Sequence, residues 1–515
     1  MVIPMTLTEA YEKLRKEAIV LRRENAKLKE GTYIDADRAS NEKEIRRLNG
    51  ELKKANCEKE RYHALWLKSL SDGNPAFKAE LYSTKKQLEE AHDTISKLKS
   101  QMNRDHENSS FASSQKPFAK KIKNSREKTE RKPGGQPGHI GHKRPHMEPT
   151  KPVVDIPVPN NILSNPDYYP TDNFITKQII DLEISVSITE YRTQIYRSRS
   201  TGQRIHAPFP KGVINEFDYG ENAKALAFLL NNYCNVSIDK TGELISGLTD
   251  GKIILSKGLI NSLSKQFSSA TEEERQKIYS MLLLAPSMHS DATPGKVNGK
   301  TVQVVVCANS DELLYFFREH KGHEGLKGTP VEEYQQILIH DHDVTYYNYG
   351  SNHQECLAHV LRYLQDGIDN EPNLTWNIKM KEFLSSTIHE VKQNRVLSEN
   401  RIKELEETYD QILKTADKEY YLHPPRKYYP EGFNLFIRMR SYRDNHLLFL
   451  HHPEIEYTNN TSERALRRFK RKFKQAVTFR SNESVEALCN CMGIIETRRL
   501  QGCNIFKTSK EAFIF

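Results

Sequence analysis

Three carboxylates stand out for where they fall: Asp291 where a β segment begins, Asp341 at the end of an apolar strand, and Glu463 ahead of a run of cations. Asp291 opens "DATPGKVNGKTVQVVVCANSDELLYFFRE", in which Asn298-Gly299 signals a hairpin, "TVQVVVCAN" a largely buried strand and "ELLYFFRE" a third strand. A polar stretch holding one predicted helix, "GTPVEEYQQ", leads to "ILIHD", a strand that ends on Asp341. Three antiparallel strands, a helix and a further strand is the order of a ribonuclease-H-like α/β core. In that order the strands of Asp291 and Asp341 are neighbours, about 4.8 Å apart. Carboxylates so placed can bridge a pair of Mg²⁺ or Mn²⁺ ions, one activating an attacking oxygen and the other stabilising a leaving one, as phosphodiester cleavage requires.

A third acid must close such a site, and Glu463 is the candidate. It lies in "EYTNNTSERALRRFKRKFK" (456–474), on a helix that Asn459, Asn460 or Thr461 can cap. The cations that follow it, Arg464, Arg467, Arg468, Lys470, Arg471, Lys472 and Lys474, are of the type that holds a phosphate backbone. Each acid also has an ordinary reading: a turn residue for Asp291, a strand end for Asp341, a surface partner of Arg467 for Glu463. Asp343 competes for the second position. The three acids together carry the chemical reading where no single one would.

The elements that must position these acids belong to a multidomain α+β chain of 515 residues, 37% apolar and 28% charged. Residues 1–102 read as a coiled-coil assembly region: Leu7, Leu14, Leu21 and Leu28 repeat every seventh residue with Asn25 in the seam, which predicts homo-oligomerisation. Residues 103–150 read as a basic disordered linker. Between Lys116 and Arg144 ten lysines and arginines face two glutamates, and Lys120, Lys121, Lys123, Arg126, Arg131 and Lys132 are candidate DNA contacts. The alternation in 151–215 predicts a small β module, and 216–285 a helical domain in which Ser256 caps a second helix, open to reading as a helix-turn-helix. Residues 286–480 hold the catalytic candidate, interrupted by helices from about 360 to 450, and 481–515 form a helical tail. Seven scattered cysteines, no signal peptide and no apolar run of about 18 residues predict a cytoplasmic, DNA-associated protein with no membrane partner.

"HSDATPGKVNGK", "HDHDVTYYNYG", "CLAHVLRYLQD" and "EYTNNTSERALRRFKRK" resemble, in order, the motifs of bacterial DDE transposases of the insertion sequence sixty-six family. "RKPGGQPGHIGH" and the leucine-zipper start match that family too. The resemblance implies Asp291, Asp341 and Glu463 as catalytic, metal-holding acids, with DNA ends and target DNA as substrates and accessory transposition proteins as further partners. Cleavage by water and strand transfer by the freed 3′-hydroxyl would follow. Cys356 and His359 fit the family's Cys-x-x-His, for which a positioning role is expected. Two ligands make only half a zinc site, and neither His353 nor the Cys489 and Cys491 pair offers the rest. Residues 151–210 contain no cysteine, so the zinc finger often found there should bind no zinc. The alternative is a catalytically inactive DNA-binding and assembly protein derived from a transposase.

Overall fold

The computed structural model describes residues 82–91, 93, 138–140, 144–422, 424 and 430–514. The leucine seam from Leu7 to Leu28 and the linker cations Lys120, Lys121, Lys123, Arg126, Arg131 and Lys132 lie outside the described residues.

A mixed α+β body is built on a five-stranded sheet. β1 (Ser287–Val297) and β2 (Lys300–Ala308) form the hairpin predicted at Asn298-Gly299. Val297 pairs with Lys300, and the two turn residues have φ of 48° and 80°, the left-handed backbone that favours Asn and Gly. β3 (Leu313–Arg318) runs antiparallel to β2, while β4 (Ile337–His340) and β5 (Asn352–Glu355) extend the sheet parallel to β1. The strand order is β3-β2-β1-β4-β5.

The unbroken apolar run of β2 is explained by cover on both faces. Val304 and Val306 pack with Leu466 and Phe469 on one side, and Val305 and Cys307 with Phe228 and Phe267 on the other. The second face is covered by α1 (Glu221–Asn232), α2 (Ile238–Leu248), α3 (Lys257–Ala270) and α4 (Glu272–Leu284). Ser256 caps α3 as its sequence predicts, accepting from Leu259 N–H. α2, capped by Ser237, is an additional helix within the predicted helical domain. Both lysines of α3 pair with acids, Lys257 with Asp239 and Lys265 with Glu483.

Among the described residues, five α-helices fill the interval between Asp341 and Glu463: α5 (Leu357–Asn370), α6 (Trp376–Gln393), α7 (Glu399–Leu422), α8 (Glu431–Ser441) and α9 (Arg443–His451). Trp376, Tyr409 and Phe436 centre their core, which also takes in Ile337 and Ile339 of β4. The insertion therefore seats on the β4 side of the sheet. α10 (Asn460–Ala476), α11 (Asn482–Leu500) and α12 (Ile505–Glu511) complete the chain. α11 closes the β3 edge, where Thr497 Oγ1 bonds both Leu313 N–H and Leu313 C=O, and Gly493 lets the helix approach because a Cβ would lie 3.3 Å from that carbonyl.

Two expectations are corrected. The predicted helix "GTPVEEYQQ" is a single turn, Pro330–Glu333, because Tyr334 is drawn inward to donate to Ala285 C=O and the chain then runs extended into β4. The small β module at 151–215 forms no sheet beyond a pairing of Tyr196–Arg197 with Arg204–Ile205, plus one helical turn at Asn160–Leu163. Its apolar residues face solvent, with Ile175 94% and Ile179 97% exposed. Alternation specifies two faces, but a strand also needs backbone partners, and the described residues offer this stretch none beyond that pairing.

Candidate active site

Asp291 lies within β1 and Asp341 directly follows β4. His289 and Ile339 are register partners on these neighbouring parallel strands. Each aspartate stands two residues beyond its member of that pair, so the two carboxylates occupy corresponding positions at one end of the sheet. The turn after β4 is pinned from below: Ser290 Oγ lies 3.0 Å from Val306 O and 3.2 Å from the Tyr346 hydroxyl, and the Tyr346 ring stacks on His340.

Asp291 is buried and Asp341 half-buried, and neither forms an ion pair among the described residues. Burial, then the charge of Asp341, pushes the Asp291 carboxyl well above the usual range, with smaller contributions from Glu463 and Asp343. Asp341 is also raised, by burial and then by Asp343, against the pull of Asp343 N–H, Lys321 and Arg438. Asp343 differs. Burial pushes it up, but bonds from Thr345 and Lys321 outweigh this and hold it below the usual range. Its Oδ1 accepts from Thr345 N–H, and its Oδ2 lies 3.0 Å from Lys321 Nζ, so it is engaged as a turn and ion-pair residue.

Glu463 sits in the first turn of α10, where the helix N-terminus favours a negative charge, and it is 9% exposed. Oε2 accepts from Arg467 at 3.1 Å, the i+4 pairing open from the sequence, but Oε1 has no hydrogen bond and lies 3.6 Å from His359 Nδ1 and 3.7 Å from Arg362. Its ligand atom falls within 4.8 Å of those of Cys356 and His359. Glu463 is thus the third side chain that the sequence did not place with that pair. His353 instead meets His340, and Cys489 and Cys491 are buried in the core. Burial pushes the Cys356 thiol up to about 11 and the His359 imidazole down to about 3, so both are neutral near pH 7.

Asn459 occupies the N-cap position of α10 without capping it by side chain. Its Nδ2 donates to Ser290 C=O at 2.8 Å, its Oδ1 accepts from Ser462 and meets His289, and its backbone N–H donates to Cys356 Sγ. Asn460 is exposed at the start of the helix.

The cations of α10 divide. Arg464, Arg467 and Arg471 are exposed, and with Lys474 they fall at i, i+3, i+7 and i+10 along one face. Arg468 does not join them: it turns inward to Glu496, and Lys470 donates to Pro294 C=O at 2.9 Å. Lys472 is buried against Asn231 C=O and pushed down by burial to about 8. Helical periodicity explains the split, because Ala465, Leu466 and Phe469 face the sheet and draw their flanking cations toward it. The arginines of "IRMRSYR" (437–443) are all engaged by acids: Arg438 by Glu355, Arg440 by Asp417 and Arg443 by Asp410.

Sequence reasoning missed Glu355. As a lone acid at a strand end it carries no signal in its type, yet it is fully buried with Arg438, His342 and Tyr347 around it.

No helix among the described residues is long and apolar enough to cross a membrane. No curated protein matches the chain. Residues 245–487, a span that runs from the end of α2 into α11 and includes Asp291, Asp341 and Glu463, match the family model for Transposase IS66 family, and it is this part of the chain that is similar to that family.

Proposed function

We propose that the chain is a DDE transposase that cuts DNA at the ends of an insertion sequence and joins the freed 3′ ends to target DNA. The observation that carries this reading is the correspondence of Asp291, buried, and Asp341, half-buried, on adjacent parallel strands, each without an ion-pair partner among the described residues. The strand order, three antiparallel and two parallel, supports a ribonuclease-H-like core.

Asp291 is raised by burial and then by Asp341, Asp341 by burial and then by Asp343, and neither forms an ion pair among the described residues; an all-oxygen donor set fits a hard divalent cation. Asp291, Asp341 and Glu463 would hold Mg²⁺ or Mn²⁺, two per site, which when bound supplies Lewis-acid stabilisation of attacking and leaving oxygens. Asn459 ties the helix of Glu463 to the strand of Asp291, holding the acids in register. Arg464, Arg467 and Arg471 line the approach with positive charge for the DNA backbone. Cys356 and His359 act as buried supports behind Glu463.

The test is Mn²⁺- or Mg²⁺-dependent cleavage of DNA carrying the gene's own flanks by the full-length chain. Wild type should cut, while Glu463→Gln should bind the same DNA and leave it intact. Equal cutting by both would remove Glu463 from the site, and binding without cutting by either would favour the inactive assembly protein.

A further inference from the structure

Behind the loop that carries Asp341 lies a second buried charge cluster, assembled from the sheet and the inserted helices. Glu355 ends β5 and is fully buried. Its Oε1 accepts from Arg438 of α8. Its Oε2 accepts from the Tyr347 hydroxyl at 2.8 Å and lies 3.1 Å from His342 Nδ1 and 3.2 Å from His446 Nε2 of α9. His342 and Tyr347 flank the Asp341 turn on the chain, so one carboxylate joins the turn to two helices of the insertion.

The charges in this cluster are unequal. His446 is held well below its ordinary value by burial and then by Arg438. Arg438 is lowered by burial only to about 10 and keeps its charge. Glu355 and Arg438 are the opposing pair, and the same carboxylate touches His342, the residue that follows Asp341, so the pair stands directly behind the Asp341 turn. A buried guanidinium that loses its carboxylate seeks another.

We propose that Glu355 is a positioning residue: by neutralising Arg438 of the inserted helices, it keeps the Asp341 carboxylate free to take a divalent cation. The inference rests on the reading of Asp291 and Asp341 as cation-holding acids. It also gives the insertion a part in the site, since displacement of α8 would carry Arg438 away and leave Glu355 unpaired behind the Asp341 turn.

Calorimetric titration of the DNA-free full-length chain with MnCl₂ tests this without relying on turnover, and thermal melts confirm the fold of each variant. Wild type should bind and Asp291→Asn should lose that binding; failure of either removes the acid-site reading itself. Glu355→Gln should bind Mn²⁺ about tenfold more weakly or worse, as one unbalanced charge at short range requires. Glu355→Gln combined with Arg438→Gln should recover affinity to within about threefold of wild type, because the second change removes the competing cation. A purely structural Glu355 would give a double variant no tighter than the single one, which overturns the proposal, as would unchanged affinity in a folded Glu355→Gln. Should Glu355→Gln fail to fold, Arg438→Gln alone decides: Mn²⁺ binding equal to or tighter than wild type supports the proposal, and weaker binding overturns it.

Discussion

Asn459 Nδ2 donates to the carbonyl of Ser290 at 2.8 Å, joining the N-terminus of the helix that carries Glu463 to the strand that carries Asp291 across 169 positions of sequence. Asn459 is fully buried, and its other side-chain atom serves Ser462 and His289. Asn459→Ala would leave these groups unpaired in the interior, at a cost of about 2–3 kcal/mol. The expected result is a lower melting temperature together with a loss of cleavage larger than the loss of DNA binding. A variant that melts lower but cuts at the wild-type rate would restrict Asn459 to a structural role.

The exposed stripe on α10 predicts a contrast within one helix. Arg464→Ala and Arg471→Ala should each weaken DNA binding and reduce the slope of log affinity against log salt by about 1, because each removes one phosphate contact. Arg468→Ala should leave that slope unchanged and lower stability instead, since Glu496, 3% exposed, loses a partner. Affinity measured across a salt series, beside thermal melts, distinguishes the two kinds of arginine.

Much of this site was legible because short-range chemistry specified it. Asn298-Gly299 fixed a two-residue turn through its left-handed backbone, and the apolar "ILIH" could only be an interior strand, so the two aspartates were placed side by side from sequence. Arg468 and Arg471 look alike in the sequence, and only the packing of Leu466 and Phe469 against β2 separates them. Glu355 was illegible for the same reason: its partners Arg438 and His446 lie 83 and 91 positions away and meet it only after the insertion folds. The alternation of 151–215 misled because a period of two states which side chains share a face and not whether another strand is present.

Glu371 gives the insertion a pH dependence of its own. Burial raises it from 4.5 to about 7, against bonds from the Tyr420 hydroxyl and Gly432 N–H. A carboxyl whose folded pKa exceeds its unfolded one binds more protons when folded, so its contribution is fully present below about pH 4.5 and is lost as pH rises through about 7. Glu371→Gln should therefore gain stability over wild type as pH goes from 6 to 8, by about 1–3 kcal/mol. Parallel denaturant melts at the two pH values give the difference directly, and a difference that does not change with pH would mean that Glu371 is ionised throughout.

Asp341 and Asp343 lie two residues apart and were both candidates for the second acid, and their surroundings separate them. Asp343 is held below the usual carboxylate range by Thr345 and Lys321 and shapes the turn, whereas Asp341 forms no ion pair among the described residues and sits at the position corresponding to Asp291. Asp341→Asn should abolish metal-dependent cleavage, a loss of about a thousandfold or more in rate, while DNA affinity at low divalent concentration stays close to wild type. Asp343→Asn keeps an oxygen to accept from Thr345 and gives up the charge that holds Lys321, so cleavage should fall by about tenfold or less. Single-turnover cleavage of the same labelled substrate compares them. If Asp343→Asn proves the silent variant and Asp341→Asn the active one, the acids exchange roles, and the cation would sit nearer Lys321 than the neighbouring strands imply.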